Sequence, residues 1–95
     1  LPTLPIFGRT ERFPVHRIYC IGRNYAEHAR EMGAVPEKGT PVFFMKPADA
    51  VVADGRDPRF PPATSNLHFE VEMVAALHSG GRDIAVADAL QHVYG

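Results

Sequence analysis

A single cysteine in 95 residues excludes an internal disulfide framework and fits a reducing cytoplasm, the compartment expected for this chain. That residue, Cys20, lies in the apolar run Ile18-Tyr19-Cys20-Ile21 and reads as a buried, inert thiol rather than a nucleophile. No hydrophobic run approaches the roughly 18–20 residues of a membrane span, so no membrane partner is expected. The N-terminus, Leu1-Pro2-Thr3-Leu4-Pro5, shows neither a basic n-region nor an h-region. It also lacks an initiator Met, which suggests a trimmed chain. An excess of positive charge is missing too. The net charge is −1 and the basic residues are scattered, which argues against a nucleic-acid partner. There is no low-complexity tract and no internal repeat. What remains, 45% hydrophobic and 22% charged, is the composition of an ordinary globular chain.

Residues 1–14 are Pro-rich and suited to an irregular arm or edge segment, with 15–95 as the main body. Arg17 to Ile21 is apolar and β-prone, closed by Gly22. Asn24 then stands at a helix N-cap position with Glu27 three residues on, predicting a two-turn helix over Tyr25 to Met32 with Gly33 as its stop. Val42 to Met45 is a short apolar strand ended by Lys46-Pro47, and Ala48 to Pro62 is turn-rich. Leu67 to Leu77 reads as another strand, and Val86 to Val93 shows helical spacing. The pattern predicts an α+β or mixed-β architecture whose core is thin for an independent domain. An N-terminal piece of something larger is therefore expected.

The run His68-Phe69-Glu70-Val71-Glu72-Met73 carries the most chemistry. On a strand, residues two apart share a face, so Glu70 and Glu72 would stand side by side. Like charges that close need a positive partner, and a hard divalent cation with a preference for oxygen ligands supplies one. The competing reading leaves both glutamates in water on an exposed strand. His68 shares the spacing and has either a packing role or one beside the metal.

A second group lies near the first helix. His28 and Glu31 are three apart and share a helix face, so the carboxylate can orient the imidazole as a general base. An exposed ion pair of small energetic value is the alternative. Lys46, at the end of an apolar strand, either receives a substrate carboxylate or is simply a solvated strand end. His16, His78 and His92 have no paired context in the sequence and read as surface residues.

Taken in order, Ile21-Gly22-Arg23-Asn24-Tyr25-Ala26-Glu27-His28, Phe44-Met45-Lys46-Pro47, Pro61-Pro62 and His68-Phe69-Glu70-Val71-Glu72 resemble the fumarylacetoacetate hydrolase family. The resemblance covers about residues 15–95. Within the family, the stretch from Phe43 to Ala50 and the Gly80-Gly81-Arg82-Asp83-Ile84 turn are most similar to fumarylpyruvate hydrolases of aromatic-ring degradation. It implies a mixed β-roll, of which this chain is the N-terminal portion, usually as a homodimer. It also implies Mg²⁺ or Mn²⁺ held by Glu70, Glu72 and a third carboxylate beyond Gly95.

The implied activity is metal-dependent hydrolysis of a carbon–carbon bond in an acylpyruvate, most like fumarylpyruvate. His28, oriented by Glu31, would be the general base, and Arg23 and Lys46 would contact substrate carboxylates. Two other readings stay open. One is a decarboxylase or isomerase of a 2-oxo dioic acid in the same family. The other is a non-catalytic fragment that folds only with a partner or with a missing C-terminal part.

Overall fold

The computed structural model describes residues 1–22 and 41–95, which form two units, Leu1–Arg59 and Phe60–Gly95. The helix expected over Tyr25 to Met32, with its Asn24 cap, lies outside the described residues. No described helix is long and apolar enough to cross a membrane. Among the described residues the elements are four short strands in two antiparallel pairs and two 3₁₀ helices. This is the mixed-β character with few helices that the sequence predicts.

Strands β1 (Thr3–Pro5) and β2 (Arg12–Pro14) pair antiparallel, Leu4 opposite Phe13. The segment expected to be irregular is thus a small hairpin. Its prolines occupy strand ends, where a missing N–H donor costs little in a ladder this short. The connection turns at Ile6, whose carbonyl accepts from the Arg9 N–H at 3.1 Å, with Gly8 at φ +73°. Beyond β2 the Val15 N–H donates to the Pro2 carbonyl at 2.8 Å. Val15 is the one buried hydrophobic among the described residues, at 6% exposure.

Arg12 ties the hairpin to a distant turn. Thr3 and Arg12 are diagonal neighbours in the register and share a face. The guanidinium donates from Nε to Thr3 Oγ1 at 2.7 Å and from Nη2 to Asp54 Oδ1 at 2.9 Å. Asp54 sits in a turn closed by the Arg56 N–H on the Ala53 carbonyl at 3.3 Å. Asp54 and Gly55 both have positive φ, 61° and 71°. Those are the left-handed values of a type I′ turn, which is why Asp-Gly stands there. With side chains 39% and 53% exposed, the Arg12–Asp54 pair contributes at most about 1 kcal/mol.

Strands β3 (Ile18–Gly22) and β4 (Val42–Lys46) form a second antiparallel pair, from Ile18 opposite Lys46 to Gly22 opposite Val42. The ladder register puts Tyr19, Ile21, Phe43 and Met45 on one face and Ile18, Cys20, Val42 and Phe44 on the other. Apolar residues on both faces mark a ribbon suited to cover on each side. All of β4 is exposed, and Cys20 is half-buried rather than buried as expected.

The second unit departs most from expectation. Leu67 to Ala76 carries no regular element, and only Leu77 makes a bridge, to Val93. A strand needs a ladder partner, and the described residues supply one only at the end of this run. Phe69, Val71 and Met73 are 90%, 88% and 87% exposed. The closing contacts bind Ala76, whose N–H donates to the Gly95 carbonyl and whose carbonyl accepts from Tyr94, each at 2.7 Å. Between them Val86–His92 is a 3₁₀ helix, where the sequence predicted helical spacing. Its N-cap is Ala85, which has no side chain able to cap.

With one buried hydrophobic side chain among the described residues, the isolated 95-residue polypeptide is expected to melt without a cooperative transition and to bind a hydrophobic dye. A sharp calorimetric peak would contradict this. In a protein that does unfold cooperatively, Gly55→Ala is expected to cost about 1–2 kcal/mol, because a Cβ is disfavoured at left-handed φ. The denaturant midpoint reads that cost.

Candidate metal and substrate site

Glu70 and Glu72 lie two apart in the exposed run of the second unit, which is not a strand, so the alternation expected to set them on one face is not seen. Two hydrogen bonds shape the chain just before them. The Asn66 N–H donates to Thr64 Oγ1 at 3.0 Å, a short Ser/Thr-type turn. Asn66 Oδ1 then accepts from His68 Nε2 at 2.8 Å. The Thr64-Ser65-Asn66 turn residues before the apolar run are the signal that could have exposed this tether. His68 is exposed rather than packed, so the packing role weighed for it is not seen.

The donor chemistry of the pair suits a hard cation, since each carboxylate offers oxygens and no soft ligand competes. Among the described residues no group of three or more His, Cys, Asp or Glu is placed to hold a metal ion. His68 therefore does not complete a triad with Glu70 and Glu72, and a full site takes further donors from elsewhere. Lys46 ends β4, exposed and opposite Ile18. Arg23, His28 and Glu31 lie outside the described residues. The structure thus describes Lys46, Glu70 and Glu72, with the two glutamates on either side of Val71 in one segment.

The family model described as fumarylacetoacetate (FAA) hydrolase C-terminal matches residues 17–95. The chain belongs to the fumarylacetoacetate hydrolase family. Among relatives, it is 40% identical over 79 residues to the oxaloacetate tautomerase FAHD1, mitochondrial, of Bos taurus, a match covering 82% of this chain and 35% of that protein. It is 38% identical over 81 residues to the mitochondrial oxaloacetate decarboxylase of Dictyostelium discoideum, covering 83% and 36%. Among solved structures it is similar to fumarylpyruvate hydrolase from Pseudomonas aeruginosa in complex with Mn²⁺ and pyruvate. That match has a TM-score of 0.89 and 52% identity, over 99% of this chain and 42% of the other. The chain spans about a third of the length of these curated relatives.

If Asn66 holds the His68 ring, Asn66→Ala is expected to free it. The His68 imidazole ¹⁵N signals should then move toward those of a solvated histidine, and unchanged signals would show that the contact does not constrain the ring.

Proposed function

We propose that this protein is a metal-dependent hydrolase that cleaves a carbon–carbon bond of an acylpyruvate, with fumarylpyruvate giving fumarate and pyruvate. The observation that carries the reading is the 52% identity, over nearly the whole chain, to a fumarylpyruvate hydrolase captured with Mn²⁺ and pyruvate. Pyruvate is one product of the proposed reaction. Homodimerisation and a cytoplasmic location belong to the same proposal.

In this mechanism Glu70 and Glu72 would hold Mg²⁺ or Mn²⁺ together with a third carboxylate from outside residues 1–95. When bound, the cation supplies positive charge against the 2-oxo acid oxygens. Glu31 orients the His28 imidazole, and His28 takes a proton from water as the water oxygen adds to the distal carbonyl carbon. The bond to the pyruvate carbon then breaks, its electron pair leaves with pyruvate as an enolate, and a proton returns to that carbon. Arg23 and Lys46 bind the substrate's terminal carboxylates as fixed positive charges.

The names of the 38–40% identical relatives favour a second reading, tautomerisation or decarboxylation of oxaloacetate. That chemistry need not activate water, so the products separate the two: only hydrolysis releases a second carboxylic acid beside pyruvate.

The first test follows loss of the dioxo-enolate absorbance of fumarylpyruvate with Mg²⁺ or with EDTA, alongside the intact mass of the purified protein. Metal-dependent loss supports hydrolysis. Turnover of oxaloacetate alone supports the second reading, and inactivity toward both removes the enzymatic proposal. Glu70→Gln and Glu72→Gln are each expected to abolish metal-dependent turnover, and normal rates in either would remove that residue as a ligand. His28→Ala is expected to lower kcat by about 10²–10⁴-fold, and an unchanged kcat would reduce it to a structural residue.

A further inference from the structure

Two segments leave the end rung of the β3–β4 ladder, Ile18 opposite Lys46, and they meet a second time. One runs back from Ile18 to Arg12 and the other runs on from Lys46 to Asp54, where Arg12 Nη2 donates to Asp54 Oδ1 at 2.9 Å. A backbone rung thus closes one end of this pair of segments and an ion pair closes the other. Val15, the one buried hydrophobic among the described residues, belongs to the first segment. On the second, Val51 and Ala53 are half-buried while Val52 and Asp54 are exposed. That alternation is the mark of an extended chain with one face turned inward.

Both halves of the ion pair are oriented by their own surroundings. Arg12 Nε donates to Thr3 Oγ1 at 2.7 Å and Nη2 to the Thr3 carbonyl at 3.2 Å, so the hairpin holds the guanidinium. Asp54 is held by its turn, where the Ala53 carbonyl accepts from the Arg56 N–H at 3.3 Å and from Arg56 Nε at 3.4 Å. Groups already oriented lose little rotamer freedom on pairing. Between Lys46 and Asp54 lies the 3₁₀ turn Ala48–Ala50, in which Ala50 N–H donates to the Pro47 carbonyl and Val51 N–H to the Ala48 carbonyl. Those bonds shape the segment locally without fixing where it lies.

We propose that Arg12 and Asp54 form a reversible ionic clasp. Closed, it ties the strap of residues 47–54 to the N-terminal hairpin; open, it leaves that strap anchored only at its Lys46 end. The pair's exposure, 39% and 53%, is what makes the clasp reversible, because charges in contact with water are screened by salt. The β3–β4 ladder carries no such dependence, so ionic strength loosens one closure of the ring and leaves the other. The clasp does not depend on Glu70 or Glu72, nor on the proposed hydrolase activity.

The test measures hydrogen exchange in the full protein as NaCl is raised from about 0.05 to about 0.5 M, across which screening shortens severalfold. Exchange at the Ala50, Val51 and Arg56 amides is expected to quicken together, by up to about fivefold, the factor carried by an exposed pair of ~1 kcal/mol. The amides of the β3–β4 ladder should not follow. Asp54→Asn keeps a residue that tolerates positive φ but removes the charge, so at low salt it should reproduce the high-salt rates. Arg12→Met should do the same, and the double variant should be no faster than either single one. Rates at Ala50, Val51 and Arg56 that ignore salt would overturn the clasp, and that observation needs no variant to fold. A response confined to Arg56, or additive effects of the two substitutions, would overturn it as well.

Discussion

The ladder between Ile18–Gly22 and Val42–Lys46 is the contact on which the first unit rests, because side-chain burial contributes so little there. Five residue pairs align in register, and the strands are apolar on both faces. Tyr19, Phe43 and Met45 nevertheless remain more than half exposed. A large side chain gains about 1.5–3 kcal/mol when fully buried, and most of that gain is not realised in the described residues. Two-stranded ribbons are marginal in water even with good pairing. Backbone hydrogen bonds and a few side-chain ties therefore hold the local geometry.

Those ties follow a common plan. Arg12 links a hairpin to the Asp54-Gly55 turn, while in the second unit Ala76 and His78 bind the chain ends around the Val86–His92 helix. Each joins residues far apart in sequence through polar atoms near the surface. The same plan runs through the second unit. A turn at Thr64 to Asn66 holds His68, and the Leu77–Val93 bridge brings Ala76 and His78 to the C-terminal residues.

Family membership and geometry bear on different parts of the functional reading. The match over residues 17–95 establishes the family. The neighbouring fumarylpyruvate hydrolase structure contains Mn²⁺, and oxygen-rich carboxylates are the donor type such a hard cation prefers. Substrate choice rests on likeness to proteins of differing names, a hydrolase on one side and oxaloacetate enzymes on the other. One metal-bound 2-oxo acid site can serve both chemistries, because they differ in whether water is activated rather than in how the 2-oxo acid is held.

Much of this protein could be read from local pattern alone. The apolar runs at Ile18 and Val42 became strands because alternation and β-branched or aromatic residues favour an extended backbone, and the Asp54-Gly55 dipeptide turned because its residues tolerate positive φ. The family was legible too, since the motifs that carry it are local runs of sequence. Other features were decided only by distant partners. Leu67 to Ala76 has the composition of a strand but carries no ladder, because a strand exists only where another backbone meets its hydrogen bonds. The Pro-rich first segment pairs as a hairpin, in which Arg12 reaches Thr3 across the register. Tertiary pairing also joined Leu77 to Val93 and the His78 N–H to the His92 carbonyl, since which backbones meet depends on register and not on sequence distance.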